Sequence, residues 1–244
     1  MVPLSIVAGF GLWQLAVQWL RLPAFILPGP VLVWQRFLRT LSDGSLLSNS
    51  WITLLEVLLG LILGASLATC LGYLLAKSKL FEQILSPYLV ASQAIPIVAI
   101  APLLIIWFGP GIPSKVLICA LIVFFPVLVN TTVGLRAVPD NLRDLMHSLQ
   151  ATRVQMLIYL EVPAALPIFL GGLRIGATLS VIGAVVGEFV GANRGLGFLI
   201  NIGRGQYDTA LVFVAIITLV LMALGLYGGV VLLESRLLAW QKRP

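Results

Sequence analysis

The chain has 244 residues, 60% of them hydrophobic and 10% charged, with a formal net charge of +6. Soluble domains carry about 25% charged residues, so this composition excludes an ordinary globular protein and places the chain in a bilayer. Its basic residues lie in loops between apolar runs, which is a topology signal and not a nucleic-acid surface.

The apolar runs recur along the whole length with no change of composition to mark a linker, so residues 1–244 read as a single transmembrane domain. A helix needs about 20 mostly apolar residues to cross the hydrocarbon. Six runs meet that requirement: Val2–Leu20, Leu54–Ala76, Tyr88–Phe108, Val116–Leu135, Leu166–Phe189 and Ala210–Leu233. No Lys or Arg precedes the first run and no small-residue cleavage site follows it, so it is expected to be a retained span. Between spans one and two, VLVWQRFLRTL at 31–41 has the apolar spacing of a surface helix.

Span two carries Gly60, Gly64, Ala68 and Gly72 at steps of four, and span five carries Gly172, Gly176, Ser180 and Ala184. Small residues at that spacing let helix backbones approach closely, so both stripes are expected to be helix contacts. Pro96, Pro102 and Pro126 fall within spans three and four, where kinks are expected. Cys70 and Cys119 lie inside apolar runs, which argues against a disulfide framework or a thiolate metal site.

Two carboxylates stand out. Glu56 opens span two, where it favours a helix N-terminus. Glu188 lies at the far end of span five, and an acidic group at membrane depth costs about 2.5 to 3.5 kcal/mol, so it needs a partner or a role. A position at the headgroup level, a bond to a nearby loop amide and a role in a pathway across the membrane each answer that need.

With six spans the termini share a side. The loops on that side hold Lys77, Lys79, Arg136, Arg143, Arg153, Arg236, Lys242 and Arg243, with Arg174 near the start of span five; the opposite loops hold Arg21, Arg36, Arg39, Lys115, Arg194 and Arg204. The bias predicts a multi-pass protein of the cell membrane with both termini and residues 136–165 in the cytoplasm.

Catalytic groups are scarce. There is no G-x-x-x-x-G-K-[ST] phosphate loop, His147 is the single histidine, and G-x-S-x-G is absent. No enzyme activity, metal site or cofactor is expected of the chain itself.

The polar interruption from Val138 to Pro167 is the most informative segment. Pro139 and Asp140 are helix-start signals, and Leu142, Leu145, Met146 and Leu149 fall at i, i+3, i+4 and i+7 of an amphipathic helix. Thr152 and Gln155 have the spacing of a capping box, which predicts a second short helix after a break at Gln150–Ala151. Pro163 and Pro167 are then expected to interrupt the chain before span five.

This segment resembles the cytoplasmic signature of permease subunits of ATP-driven, binding-protein-dependent importers (ABC importers), approximately E-A-A, three residues, G, nine residues, I-x-L-P. It looks like the nitrate, sulfonate and taurine branch, where the region tends to read E-A-A-R-S-L-G-A-S followed downstream by L-P-A-A-L-P. Asp144 stands at the glutamate, Ser148–Leu149 and Ala151–Thr152 match, and Val162–Leu166 with Pro167 match the exit. Gln150 replaces the glycine, and Leu145 and Met146 replace the two alanines. The similarity extends over about residues 25–200, through ILPGPVLVWQRF at 26–37, IPIVAIAPLLIIWFG at 95–109 and GEFVGANRGLGFLI at 187–200.

The resemblance implies an all-α permease of the type I importer fold, with about six transmembrane helices and a cytoplasmic coupling helix. It implies that Asp144, His147, Ser148, Leu149, Gln150, Ala151 and Thr152 seat in a cleft of a separate ATPase. The implied partners are two ATPase subunits carrying ATP and Mg, a second permease copy, and an extracytoplasmic binding protein. The implied solute is a nitrate-, sulfonate- or taurine-like anion or a pyrimidine vitamin precursor. A self-sufficient carrier or channel is the alternative, although no internal repeat of the kind many carriers show is visible.

Overall fold

The computed structural model describes residues 2–20 and 23–242, and every regular element among them is helical. Arg21 and Arg243 of the charge comparison lie outside the described residues, as does the side chain of Lys242. The chain begins with α1 (Val2–Leu20), where the first span is expected, followed by α2 (Pro30–Ser42) and α3 (Ser45–Lys77). The side chains of residues 2–8, Phe10 and Leu20 of α1 lie outside the described residues. At the turn into α3, Asp43 accepts from the Ser45 backbone N–H at 2.8 Å, and its bonds to Ser45 hold its carboxyl below the usual range.

The third expected span is not one helix. Residues 88–108 are divided between α4 (Lys79–Gln93) and α5 (Ile97–Phe108), which meet at 95°. Pro96 causes the break: it donates no N–H, and its ring drives the preceding residue out of helical geometry. Ala94 and Ile95 instead close a turn onto Ala91 and Ser92. Pro102 and Pro126 remain inside helices.

After α6 (Ile112–Arg136) comes the short α7 (Asp140–Ser148). The expected interruption at Pro163 and Pro167 does not occur. From Arg153 the chain runs as α8 (Arg153–Met156), a π-helical turn at Leu157–Glu161, and α9 (Val162–Gly191), 39 residues in all. A proline in an α-helix clashes with the carbonyl one turn earlier. Here the carbonyl four residues before Pro163, that of Tyr159, lies in the wider π turn, which supplies the room, so the loop's second helix is the first turn of the span. The chain closes with α10 (Leu196–Gly205) and α11 (Thr209–Leu237).

Four helices among the described residues are long and apolar enough to span a bilayer, and the bent α4–α5 pair makes a fifth. Their outer faces expose Ile62, Ile106 and Leu224, a surface suited to lipid.

The bundle is organised around α6, which lies between α3 and α9. Both small-residue stripes face it. Gly60 meets Cys119, Gly64 meets the Ala120 backbone, and Gly72 meets Thr131. From the other side Gly172 meets Asn130, Gly176 meets Val123 and Val127, and buried Ser180 accepts at its carbonyl from the Cys119 thiol at 3.3 Å. The stripes therefore pack within one copy of the chain. Arg174 of α9 pairs with Glu234 of α11 and lies over the Tyr227 ring, tying α11 to the same core.

The two stripes differ in tolerance. A Cβ at Gly64 would stand 2.5 Å from the Ala120 carbonyl oxygen, a backbone atom that moves only with its helix. At Gly176 the nearest atom is a Val123 methyl at 3.2 Å, which can give. Gly64→Ala is expected to cost about 1–3 kcal/mol through overpacking and to lower the thermal midpoint in detergent, while Gly176→Ala stays near wild type. Equal midpoints for the two variants would contradict this packing.

Candidate functional site

The segment from Asp140 to Thr152 projects beyond the spans at one end of the bundle, and none of the residues of α7 is buried. Its apolar positions are uncovered: Leu142, Leu145 and Leu149 are 39%, 55% and 69% exposed. Arg143 anchors α7 to the bundle, donating to the Leu135 carbonyl at 2.9 Å and pairing with Asp140.

The turn after α7 has a defined hydrogen-bond geometry. The Ala151 N–H donates to Met146 O at 3.0 Å and the Gln150 N–H to His147 O at 2.9 Å, the paired bonds of a Schellman ending. That ending needs a left-handed residue, and Gln150 takes it with φ of 56°. The glycine of the resembled signature thus corresponds to a real backbone demand, which Gln150 meets with strain. The expected capping box then forms: Thr152 Oγ1 accepts from Gln155 N–H, and Gln155 Oε1 accepts from Thr152 N–H at 2.8 Å. Asp144, His147, Ser148, Leu149, Gln150 and Thr152 are all exposed, and Ala151 is half-buried.

Basic residues clamp this end. Arg136 donates to the Leu75 carbonyl at 2.9 Å and pairs with Glu82 at 2.7 Å, while Lys77 of α3 pairs with buried Glu161 in the π turn.

Glu188 lies at the opposite end of the bundle and is fully buried. Thr53 Oγ1 donates to it at 2.6 Å, and the Gly197 N–H donates to its other oxygen. Thr53 in turn accepts from the Leu196 N–H at 2.8 Å, and Asn49 accepts from the Gly195 N–H at 2.7 Å. Three successive amides at the start of α10 are thereby satisfied by side chains of α3 and α9. Gly195 has φ of 113°, and a Cβ there would lie 2.3 Å from the Glu188 carboxyl, so this turn requires glycine.

Glu56 belongs to the same cluster and not to a helix start: α3 begins at Ser45, about three turns earlier. It is buried beside Glu188 and Lys115. Lys115, counted above as a loop residue, is buried inside α6 and donates to the carbonyls of Pro110 and Gly191. A cavity of about 300 Å³ adjoins the cluster, lined by Glu56, Lys115, Asn193 and Arg194 but not by Glu188.

Comparison with known proteins fits this architecture. The family described as binding-protein-dependent transport system inner membrane component matches residues 51–239. The chain belongs to this family. It is 48% identical over 240 residues to the riboflavin transport system permease protein RibX of Chloroflexus aurantiacus, covering 98% of this chain and 90% of that one. It is 37% identical to the formylaminopyrimidine transport permease protein ThiX of Halalkalibacterium halodurans, covering 95% and 92%. The taurine transport system permease protein TauC of Escherichia coli is 31% identical, covering 93% and 84%. Among solved structures, the inward-facing methionine transporter MetNI shares the fold with a TM-score of 0.69 at 19% identity, covering 80% of this chain and 97% of that one. The chain is accordingly an all-α ABC-importer permease subunit.

Sequence reasoning missed the grouping of Glu56, Lys115 and Glu188. The available signal was two carboxylates inside apolar runs and a lysine at the edge of a third, but they are far apart along the chain.

The strain at Gln150 is testable. A left-handed conformation costs an L-residue roughly 1–2 kcal/mol relative to glycine. Gln150→Gly should slow hydrogen exchange of the Gln150 and Ala151 amides, and β-branched Gln150→Val should speed it. Identical exchange in all three proteins would contradict the Schellman geometry.

Proposed function

We propose that the chain forms the membrane passage for a small heteroaromatic solute of the flavin or aminopyrimidine type. An external binding protein delivers the solute, and two separate ATPase subunits, which hold the ATP and Mg, drive its import. Two copies of the permease pair in this reading, with both termini and residues 136–165 in the cytoplasm. The chain itself carries no ATPase site.

One observation carries the reading of mechanism. α7 leaves Leu142, Leu145 and Leu149 uncovered, yet its ending is locked by backbone bonds and leads directly into a 39-residue span. A soluble motor moves a membrane domain only through an element whose contacts differ between its states. A rigid projection with an uncovered apolar face, continuous with a span, has that form. Asp144, His147, Ser148, Leu149, Gln150, Ala151 and Thr152 are the residues proposed to enter the ATPase cleft. Gly60, Gly64, Gly72, Gly172, Gly176 and Ser180 are proposed to keep α3, α6 and α9 together during the cycle. Glu188 is proposed to hold α10 and not to contact the solute.

The solute class rests on the riboflavin and formylaminopyrimidine permeases, which are nearer in sequence than the taurine permease. In vesicles holding the permease, its ATPase and its binding protein, ATP-dependent riboflavin uptake is expected, with no competition from excess taurine. Taurine uptake without riboflavin uptake would favour the anion reading instead.

Ala151→Glu tests the coupling residues. Its carboxylate would enter the ATPase cleft without disturbing the backbone bond from Ala151 to Met146. ATPase co-purification or uptake per ATP is expected to fall about tenfold, the equivalent of roughly 1.4 kcal/mol, with membrane insertion unchanged. Wild-type values for both would refute the placement of Ala151.

A further inference from the structure

The π turn at Leu157–Glu161 interrupts the longest helix of the molecule between the projecting loop and the membrane core. π turns are rare and interrupt the tight hydrogen-bond ladder of the α-helix, and they recur where helices bend or function demands it. Pro163 follows after Val162, so a further N–H is missing just beyond the turn. Within an otherwise continuous helix, this is where the ladder is weakest.

Two independent features surround the turn. A cavity of about 390 Å³ lies against it, bounded by Leu157, Val162 and Leu166 on the turn side and by Cys70, Tyr73 and Leu135 on α3 and α6. The lining exposes no polar surface, so the space accommodates movement of apolar side chains without exposing a buried polar group. Secondly, Glu161 is almost fully buried within the turn, and its carboxylate pairs with Lys77 at the end of α3. Lys77 is 40% exposed and also lies 5.8 Å from the centre of the Tyr73 ring. A buried carboxylate with a half-exposed cationic partner fixes one point of the turn to the end of α3, beside the cavity that separates the rest of the turn from α3 and α6.

We propose that this turn is the joint through which movement of the projecting loop reaches the core, with Glu161 and Lys77 as its positioning residues. The pair makes α3 follow the turn, so a displacement of α7 is shared by α3 and α9, the two helices that grip α6. Without the pair the turn yields into the cavity and α3 stays behind. The inference rests on the reading of residues 144–152 as the ATPase contact and assigns no contact with ATPase or solute to Glu161 itself.

The test uses the full complex in vesicles, comparing Glu161→Gln, Lys77→Gln and the exchanged pair Lys77→Glu with Glu161→Lys. Both single variants should retain ATPase co-purification and ATP hydrolysis, with uptake per ATP at least fivefold lower; the exchanged pair should recover at least half of it. A purely structural role would reduce yield and thermal midpoint but leave uptake per ATP unchanged in the assembled complex, and that result would overturn the proposal. Loss of the ATPase from the single variants would also overturn it, since the pair would then act in docking. Lys77→Gln keeps the test open if Glu161→Gln does not assemble. Ala151→Glu run in parallel separates the two ideas: normal coupling there refutes the loop contact, whereas the joint is judged on the Glu161 and Lys77 variants alone.

Discussion

The close approach of α3 and α9 to α6 is the constraint on which the rest of the structure depends. Lipid tails are as apolar as leucine, so the hydrophobic effect does little to hold transmembrane helices together; packing and hydrogen bonds must do so. Small residues let that packing occur at backbone distance, most severely at Gly64, where an added Cβ would stand 2.5 Å from a carbonyl oxygen. With the three helices held this closely, everything else attaches to a rigid centre. α11 is tied to it by Arg174 and Glu234, and α10 by the bonds of its first amides to Asn49, Thr53 and Glu188.

The polar groups follow the same economy. In a bilayer an unsatisfied group is expensive, and buried Glu188 and Lys115, like the partly exposed Arg136 and Arg143, are bonded to backbone or to neighbouring side chains. Glu188 takes an amide and a hydroxyl, Lys115 takes two carbonyls, and Arg136 and Arg143 each take the carbonyl of a helix end. Basic residues that read from the sequence as topology signals therefore also serve as clamps between helices. At the loop end those clamps leave α7 firmly based but uncovered, which is the shape required of a lever.

What the sequence made legible was set by range. Hydropathy located the four long spans α3, α6, α9 and α11 because a bilayer demands about 20 apolar residues wherever a helix crosses. Thr152 and Gln155 gave away the capping box because both partners lie within one turn. Pro96 was visible as a proline, yet a 95° break and a mild kink carry the same letter. The π turn was invisible: nothing in LIYLE marks a wider turn, and of the two prolines that pointed towards an interruption, Pro163 is accommodated by that turn while Pro167 stays inside α9. The cluster of Glu56, Lys115 and Glu188 was missed because its members come from three helices, and no local pattern records which charges meet.

The central claim is that this chain is a passage moved by a separate motor, not a carrier that works alone. The most direct measurement is riboflavin uptake into vesicles containing either the purified chain alone, under an imposed proton or sodium gradient, or the chain with its ATPase, binding protein and ATP. The expected result is uptake only in the second preparation, abolished when ATP is omitted. Gradient-driven uptake by the chain alone would contradict it.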